Sequence, residues 1–295
     1  MLEIVKSIRM LLTHPLSRGR ISRVAYDTAK WQLTSRLLRK EMIHEWVAGT
    51  RFYVQRGETG LTGNIYTGLL EFSDMMFLLH ALTADDLFAD IGANSGAYTI
   101  LASGVRRAKT YAFEPVPSTY ERLLRNIALN EIDALVKPML CALGARPGRL
   151  LFWSNLDTMN RVADENTPSA ITVDVTTLDD VFFQDPPTLM KIDVEGYEEA
   201  VLRGGDRVLR DPRLQAIVAE VNEASHVYGY NENEILRLLG SYGFSPYAYG
   251  PFDRALTALP GLNNRENNTI FVRDLPGIRR RIAQSGSINV AGRLV

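Results

Sequence analysis

Asp90, Glu114 and Asp193 are the residues around which chemistry in this chain would be organised. Asp90 lies in an apolar run, Leu87-Phe-Ala-Asp-Ile91, which is followed by Gly92-Ala-Asn-Ser-Gly96. Glu114 ends a second run, Thr110-Tyr-Ala-Phe-Glu114, and Asp193 ends a third, Leu189-Met-Lys-Ile-Asp193. Each run has the length and composition of a buried parallel strand. Acids at the tips of neighbouring strands, with a glycine turn between them, suit a ligand that carries a ribose. Gly92 and Gly96 permit positive φ and a close approach of backbone to ligand. N–H groups at the start of the following helix favour electron-rich atoms, and the acid after the second strand accepts from ribose hydroxyls.

The turn departs from the nicotinamide fingerprint. G-x-G-x-x-G would need glycines at 92, 94 and 97, and the chain has Asn94 and Ala97. Without the second glycine a pyrophosphate loses its close approach. A ribose without a pyrophosphate points to S-adenosylmethionine, with a nicotinamide-dependent oxidoreductase as the alternative. An ordinary strand-to-helix turn would use the same glycines, so the turn alone leaves both open.

Lys191 and Asp193 fall on one strand face, because side chains alternate. Charges in an apolar central strand need partners. Asp193 either points into a cleft or caps the helix that begins near Gly196. Glu195 reads as a capping group, with a ligand role open, and Glu198 and Glu199 as first-turn acids facing the helix dipole. The next loop supplies Glu220, Asn222, Glu223, His226, Tyr228 and Tyr230. Methylating a hydroxyl requires loss of its proton, which His226 could take near neutral pH; an exposed loop histidine is the other reading. Asp193, Glu220 and Asn222 could instead form an oxygen-rich Mg²⁺ site that lowers the hydroxyl's pKa. Asp193, His226 and Glu220 are therefore the catalytic candidates.

These residues need a scaffold, and the strand–helix rhythm supplies one. Strands are expected at 87–91, 109–114, 135–140, 188–193 and 215–221, with helices at 97–105, 118–130, 197–210 and 231–242. Such alternation predicts an α/β fold with a parallel sheet and helices on both faces. Residues 149–153 and 170–175 read as an inserted hairpin, and 245–249 and 269–273 as two further strands. Upstream, 22–46 reads as a helix, 51–55 as a strand and 71–81 as a helix. The expected division is a helical extension over 1–60, a main domain over 61–275 and a mobile tail over 276–295.

Composition is that of an ordinary globular protein: 295 residues, 46% hydrophobic, 23% charged, formal net charge −1. Nothing in that balance points to a nucleic-acid partner. Residues 1–56, however, hold eleven Lys/Arg against four Asp/Glu. This excess reads as solvated helix faces or as peripheral contact with an acidic surface such as anionic lipid. The single cysteine, Cys141, allows no internal disulfide. With no secretory leader pattern and no transmembrane run, a cytoplasmic protein is expected.

Phe88-Ala-Asp-Ile-Gly-Ala-Asn-Ser-Gly-Ala-Tyr-Thr99, Ala112-Phe-Glu-Pro-Val-Pro117, Thr177-Leu-Asp-Asp180 and Met190-Lys-Ile-Asp-Val-Glu-Gly-Tyr-Glu198 together resemble the FkbM family of S-adenosylmethionine-dependent methyltransferases. The resemblance runs from about residue 64 to 275. It implies a class I methyltransferase fold, Rossmann-like, with a seven-stranded mostly parallel sheet. It also implies O-methylation of a hydroxyl on a sugar, polysaccharide or glycosylated natural product. Carried over, Asp90 and Gly92 would face the methionine part of the cofactor and Glu114 its ribose. Asn94 would support the turn, with Gly96 and Tyr98 completing the cofactor set. Asn64-Ile-Tyr-Thr-Gly-Leu-Leu-Glu71 would be the segment that closes over the cofactor. The family often has a histidine soon after the acid ending the 215–221 strand, where this chain reads Glu220-Val-Asn222, so His226, Asp193 or a metal would serve in its place. A non-catalytic scaffold of the same fold, anchored through the basic N-terminal helices, is a further alternative.

Overall fold

The computed structural model describes residues 13–38, 41–55, 61–153, 161–162, 170–221 and 232–295. In chain order its helices are α1 (Ile21–Leu38), α2 (Thr62–Thr67), α3 (Phe72–Ala81), α4 (Ala97–Thr99), α5 (Pro117–Leu129), α6 (Leu178–Val181), α7 (Glu198–Arg203), α8 (Asp206–Arg210), α9 (Glu232–Ser241) and α10 (Leu275–Gln284). The strands are β1 (Met42–Glu45), β2 (Arg51–Val54), β3 (Leu87–Ile91), β4 (Lys109–Phe113), β5 (Val136–Met139), β6 (Ala142–Leu143), β7 (Gly148–Trp153), β8 (Arg161–Val162), β9 (Ala170–Thr176), β10 (Leu189–Ile192), β11 (Ala216–Glu220), β12 (Ser245–Gly250), β13 (Ala255–Ala258), β14 (Asn268–Val272), β15 (Asn289–Val290) and β16 (Arg293–Leu294).

The main sheet has the order β13-β12-β14-β11-β10-β3-β4-β5. From β5 to β11 it is parallel; β14, β12 and β13 add an antiparallel side. It therefore has eight strands instead of the expected seven, the eighth being the edge strand β13. Every residue of β3 is buried, as a central strand covered on both faces requires. Alternation sorts the core into two layers. Phe88 and Val218 pack with Met76, Phe77 and Ile278 on one face. Ala89 and Ile217 pack with Met190, Val201 and Leu239 on the other.

Register carries the polar residues to one place. Asp90 pairs with Lys191 across β3 and β10, Lys191 with Val218 on β11, and Glu220 with Asn268 across β11 and β14. By the period of two, all four polar side chains belong to the sheet face that α3 covers. Chain order reverses about β3, so the crevice at the carboxyl ends of β3 and β10 is where a ligand sits in such a sheet.

Several expected elements differ. The 22–46 helix stops at Leu38, and Met42–Glu45 pairs antiparallel with β2, a tertiary partner that outweighs helical propensity. The 97–105 helix begins as α4 and continues from Ile100 to Val105 as a wider turn, with Arg106 N–H donating to Leu101 O. The 197–210 helix is split into α7 and α8 at Gly204–Gly205. A Cβ on Gly204 would lie 2.1 Å from the Gly144 carbonyl oxygen. The expected 149–153 and 170–175 hairpin is present as β7 and β9, in a separate four-stranded sheet with β6 and β8.

The expected mobile tail over 276–295 is instead an ordered part of the core. Asp274 caps α10, accepting from Gly277 N–H at 3.0 Å, with Pro276 in its first turn. Ile278 and Ile282, one turn apart, are buried against α3, and Val290 and Val295 follow them. Burying each such side chain contributes roughly 1.5–3 kcal/mol, enough to fix a short helix and hairpin. No helix among the described residues is long and apolar enough to cross a membrane.

Candidate functional site

The turn after β3 takes left-handed backbone at Gly92 (φ 81°), Asn94 (φ 49°) and Gly96 (φ 93°). The glycines are demanded by packing within the protein as well as by φ. A Cβ on Gly92 would lie 1.8 Å from the Asp193 carbonyl oxygen, and one on Gly96 2.7 Å from Leu123 Cδ1. Gly92 thus lets the tips of β3 and β10 meet, a different reason for glycine from the expected approach to a ligand.

A cavity of about 380 Å³ opens at this end of the sheet. Asp90, Gly92, Asn94, Tyr98, Glu114, Asp193 and Glu220 all line it. Gly96 does not line it; its place is against α5. His226, Asn222, Glu223, Tyr228 and Tyr230 lie outside the described residues. Phe152 and Val162, from the inserted sheet, form part of the wall.

The electrostatics are lopsided. Six acids line the cavity (Glu71, Asp90, Glu114, Asp193, Glu195 and Glu220), with Lys191 as the basic side chain among the lining residues. Glu114 is buried and takes two backbone N–H groups, Asn94 at 3.1 Å and Val116 at 2.9 Å. Burial outweighs those bonds and pushes its carboxyl up to about 7. Asp90 accepts from Thr99 Oγ1 at 2.5 Å, and burial pushes it up to about 6 against the pull of Thr99 and Lys191.

Lys191 is 1% exposed. Its Nζ donates to Asp193 Oδ2 at 3.0 Å and to Asn268 Oδ1 at 3.1 Å, and lies 5.3 Å from the Tyr98 ring centre. Burial opposes its charge, but Asp193, Glu71 and Glu220 more than offset this and hold it protonated. Burial likewise opposes ionisation of Asp193. The Lys191 charge and a hydrogen bond with Glu220 win, holding Asp193 below the usual carboxylate range. Glu220 is pushed up to about 10 by burial and then by the Asp193 charge. The two carboxyls thus share one proton beside an ammonium. Of the two readings of Asp193, the structure supports the cleft. The acid that caps the next turn is Glu198, whose Oε1 accepts from Val194 N–H (3.0 Å) and Gly196 N–H (3.2 Å). Glu195, read as the cap, has φ 53° and lines the cavity instead.

Asn268 and Asp74 join the site without having been singled out from the sequence. Asn268 Nδ2 donates to Glu71 Oε1 at 2.7 Å and Asp74 Oδ2 at 3.0 Å, and Tyr98 OH donates to Glu71 Oε2 at 2.9 Å. Asn268 therefore links Lys191 to Glu71. The available signal was Glu71 and Asp74 themselves, two acids at the head of the otherwise apolar α3.

Asp193, Glu195 and Glu220 each bring a carboxylate oxygen within 4.8 Å of the others. They do not fit a Mg²⁺ cage. Lys191 Nζ already bonds Asp193 Oδ2 at 3.0 Å, so a buried ammonium stands beside the cluster and competes with a dication for that carboxylate. Divalent ions of this kind need ionised oxygen donors.

Fold and site together define a Rossmann-like α/β protein of the class I methyltransferase type. The chain belongs to the methyltransferase FkbM domain family, whose profile matches residues 90–246, more than half of its length. It is 26% identical over 165 residues to the hexuronic acid methyltransferase AglP of Haloferax volcanii, covering 55% of this chain and 64% of that protein. It is 31% identical over 171 residues to methyltransferase sdnD of Sordaria araneosa, covering 46% of this chain and 66% of the relative. The alignments thus span just under two thirds of these relatives. Among solved structures, the crystal structure of methyltransferase FkbM from Methylobacillus flagellatus aligns with a TM-score of 0.44. Sequence identity there is 16%, over 66% of this chain and 47% of that one.

Proposed function

We propose that this chain is an S-adenosylmethionine-dependent O-methyltransferase whose acceptor is a hydroxyl of a sugar, polysaccharide or glycosylated natural product. The observation that carries the reading is the acid-lined cavity at the carboxyl ends of β3, β4, β10 and β11. Its acid-rich lining suits a ligand with a sulfonium and an ammonium group, and Glu114 would accept from the ribose hydroxyls. Gly92, Asn94, Asp90 and Tyr98 would complete the cofactor's surroundings. When bound, that cofactor supplies a methyl group already activated on sulfur, so the protein's task is alignment and proton removal.

Asp193 is the group on the cavity wall that takes the acceptor's proton. Its low pKa makes it a weak base, so its main effect is to orient the hydroxyl and hold the proton late in the transfer. Lys191 keeps it ionised, and Glu220, carrying its own proton, fixes the carboxylate by hydrogen bonding. His226 is the second candidate base. The name of the Haloferax volcanii relative, a hexuronic acid methyltransferase, supports a carbohydrate acceptor.

The test is transfer of label from methyl-labelled S-adenosylmethionine to a panel of glycosides, uronides and matched amines. Label on oxygen, with slow turnover in Asp193→Asn, is expected. Label on amines alone, or NADH oxidation without methyl transfer, would overturn the reading.

A further inference from the structure

Ten large apolar side chains are exposed among the described residues, and five of them fall between residues 21 and 43: Ile21, Tyr26, Leu33, Leu37 and Ile43. Three share one face of α1. At about 100° per residue, Tyr26, Leu33 and Leu37 lie within roughly 40° of arc. They are 59%, 61% and 72% exposed. Lys30 and Arg23 border this stripe on one side and Arg36 on the other. The opposite face of α1 is the one turned to the protein, where Trp31 and Ser35 are buried. The outward face of the helix is thus the more apolar one, the reverse of an ordinary surface helix.

The charge of this face is equally one-sided. Within Ile21–Leu38, Arg23, Lys30 and Arg36 stand against Asp27, and Arg18 and Arg20 precede the helix. Arg23 and Asp27 pair at 3.0 Å, so the net excess rests on Lys30, Arg36 and the arginines before the helix. Since the whole chain carries −1, this is local enrichment and not a basic protein showing through. An apolar stripe bordered by cations matches the boundary between acyl chains and anionic headgroups. A second copy of the chain, docked face to face, would bury the stripe but bring these cations together.

We propose that the outer face of α1 docks on an anionic lipid surface, with Tyr26, Leu33 and Leu37 entering the interface and Lys30 and Arg36 meeting headgroups. This inference is independent of the catalytic reading and is tested without activity. The full chain is floated with vesicles of phosphatidylcholine alone and of phosphatidylcholine containing phosphatidylglycerol. Expected is binding about tenfold or more tighter to the anionic vesicles, weakening with salt. The double variant Leu33→Glu/Leu37→Glu should lose about tenfold or more of that affinity with an unchanged circular dichroism spectrum. Lys30→Gln/Arg36→Gln should shrink the preference for anionic over neutral vesicles. Equal partition to both vesicles, no partition, or wild-type binding by the leucine variant would overturn the proposal. So would a dimer, seen by light scattering, that the leucine variant breaks, since it would assign the face to a second copy.

Discussion

The two ends of the parallel sheet carry the same residue type to opposite purposes. At the amino end, Asp86 precedes β3 and is buried. Its Oδ2 accepts from Thr83 N–H (2.7 Å), Thr83 Oγ1 (2.8 Å) and Arg281 Nη1 (2.7 Å). All of its bonding lies within the protein and ties α10 to the sheet. At the carboxyl end, Asp90, Glu114, Asp193 and Glu220 line a cavity, and burial displaces three of them to about 6, 7 and 10. One acid is a fastening. The others are held at a cost by a network whose remaining side is open to a ligand, and perturbed acids in a cleft mark functional sites more often than structural ones.

The largest test of this contrast is Lys191→Ala. It leaves Asp193 and Asn268 without their buried partner, and a loss of about 3–5 kcal/mol in chemical denaturation is expected. A loss near zero would mean that the carboxyl-end network is not held together by its lysine. Next is Asp86→Ala, which removes charge-assisted hydrogen bonds and should cost about 1–3 kcal/mol while leaving ligand affinity intact. Weakened cofactor binding in that variant would erase the distinction between the two ends.

The pH dependence sharpens it further. An acid whose folded pKa is raised holds its proton more tightly in the folded than in the unfolded chain. Stability from such groups is full below the ordinary values of 3.8 and 4.5 and is lost as pH rises towards the folded values. For Asp90, Glu114 and Glu198 that window closes at about 6 to 7, and for Glu220 at about 10. Asp193, held low by Lys191 against burial, has the opposite sign: its contribution is present above 3.8 and lost as pH falls through its folded value. Thermal midpoints should fall from neutral towards alkaline pH, with Glu220→Gln flattening that limb, while on the acid side His80, held down to about 4 by burial, works the other way below its ordinary 6.5. A midpoint that rises from neutral to alkaline pH would contradict these displacements. The smallest expected effect is that of EDTA, which should leave cofactor affinity unchanged.

Much of the carboxyl end was readable in sequence because its signals are local. Leu87–Ile91 and Leu189–Ile192 are short apolar runs, and the acids follow from where those runs end. Lys191 and Asp193 declare their shared face by alternation. What escaped depends on long-range pairing. Asn268 enters only because β14 runs antiparallel to β11 and places it opposite Glu220. The packing of 276–295 rests on Ile278 and Ile282, a pair too sparse to register as a periodic stripe. The strand at Met42–Glu45 exists through its pairing with β2; 51–55 was legible as a strand, but that pairing was not. The need for Gly92 was visible, but its cause, the Asp193 carbonyl across the β3–β10 seam, was not.

The most direct test of the central claim is calorimetric titration of S-adenosylmethionine into the wild-type chain, Glu114→Ala and Asp86→Ala. The account predicts one site in the wild type, affinity at least about tenfold weaker in Glu114→Ala, as losing a hydrogen bond to a charged group implies, and wild-type affinity in Asp86→Ala. No binding to the wild type, or equal affinity in all three proteins, would contradict it.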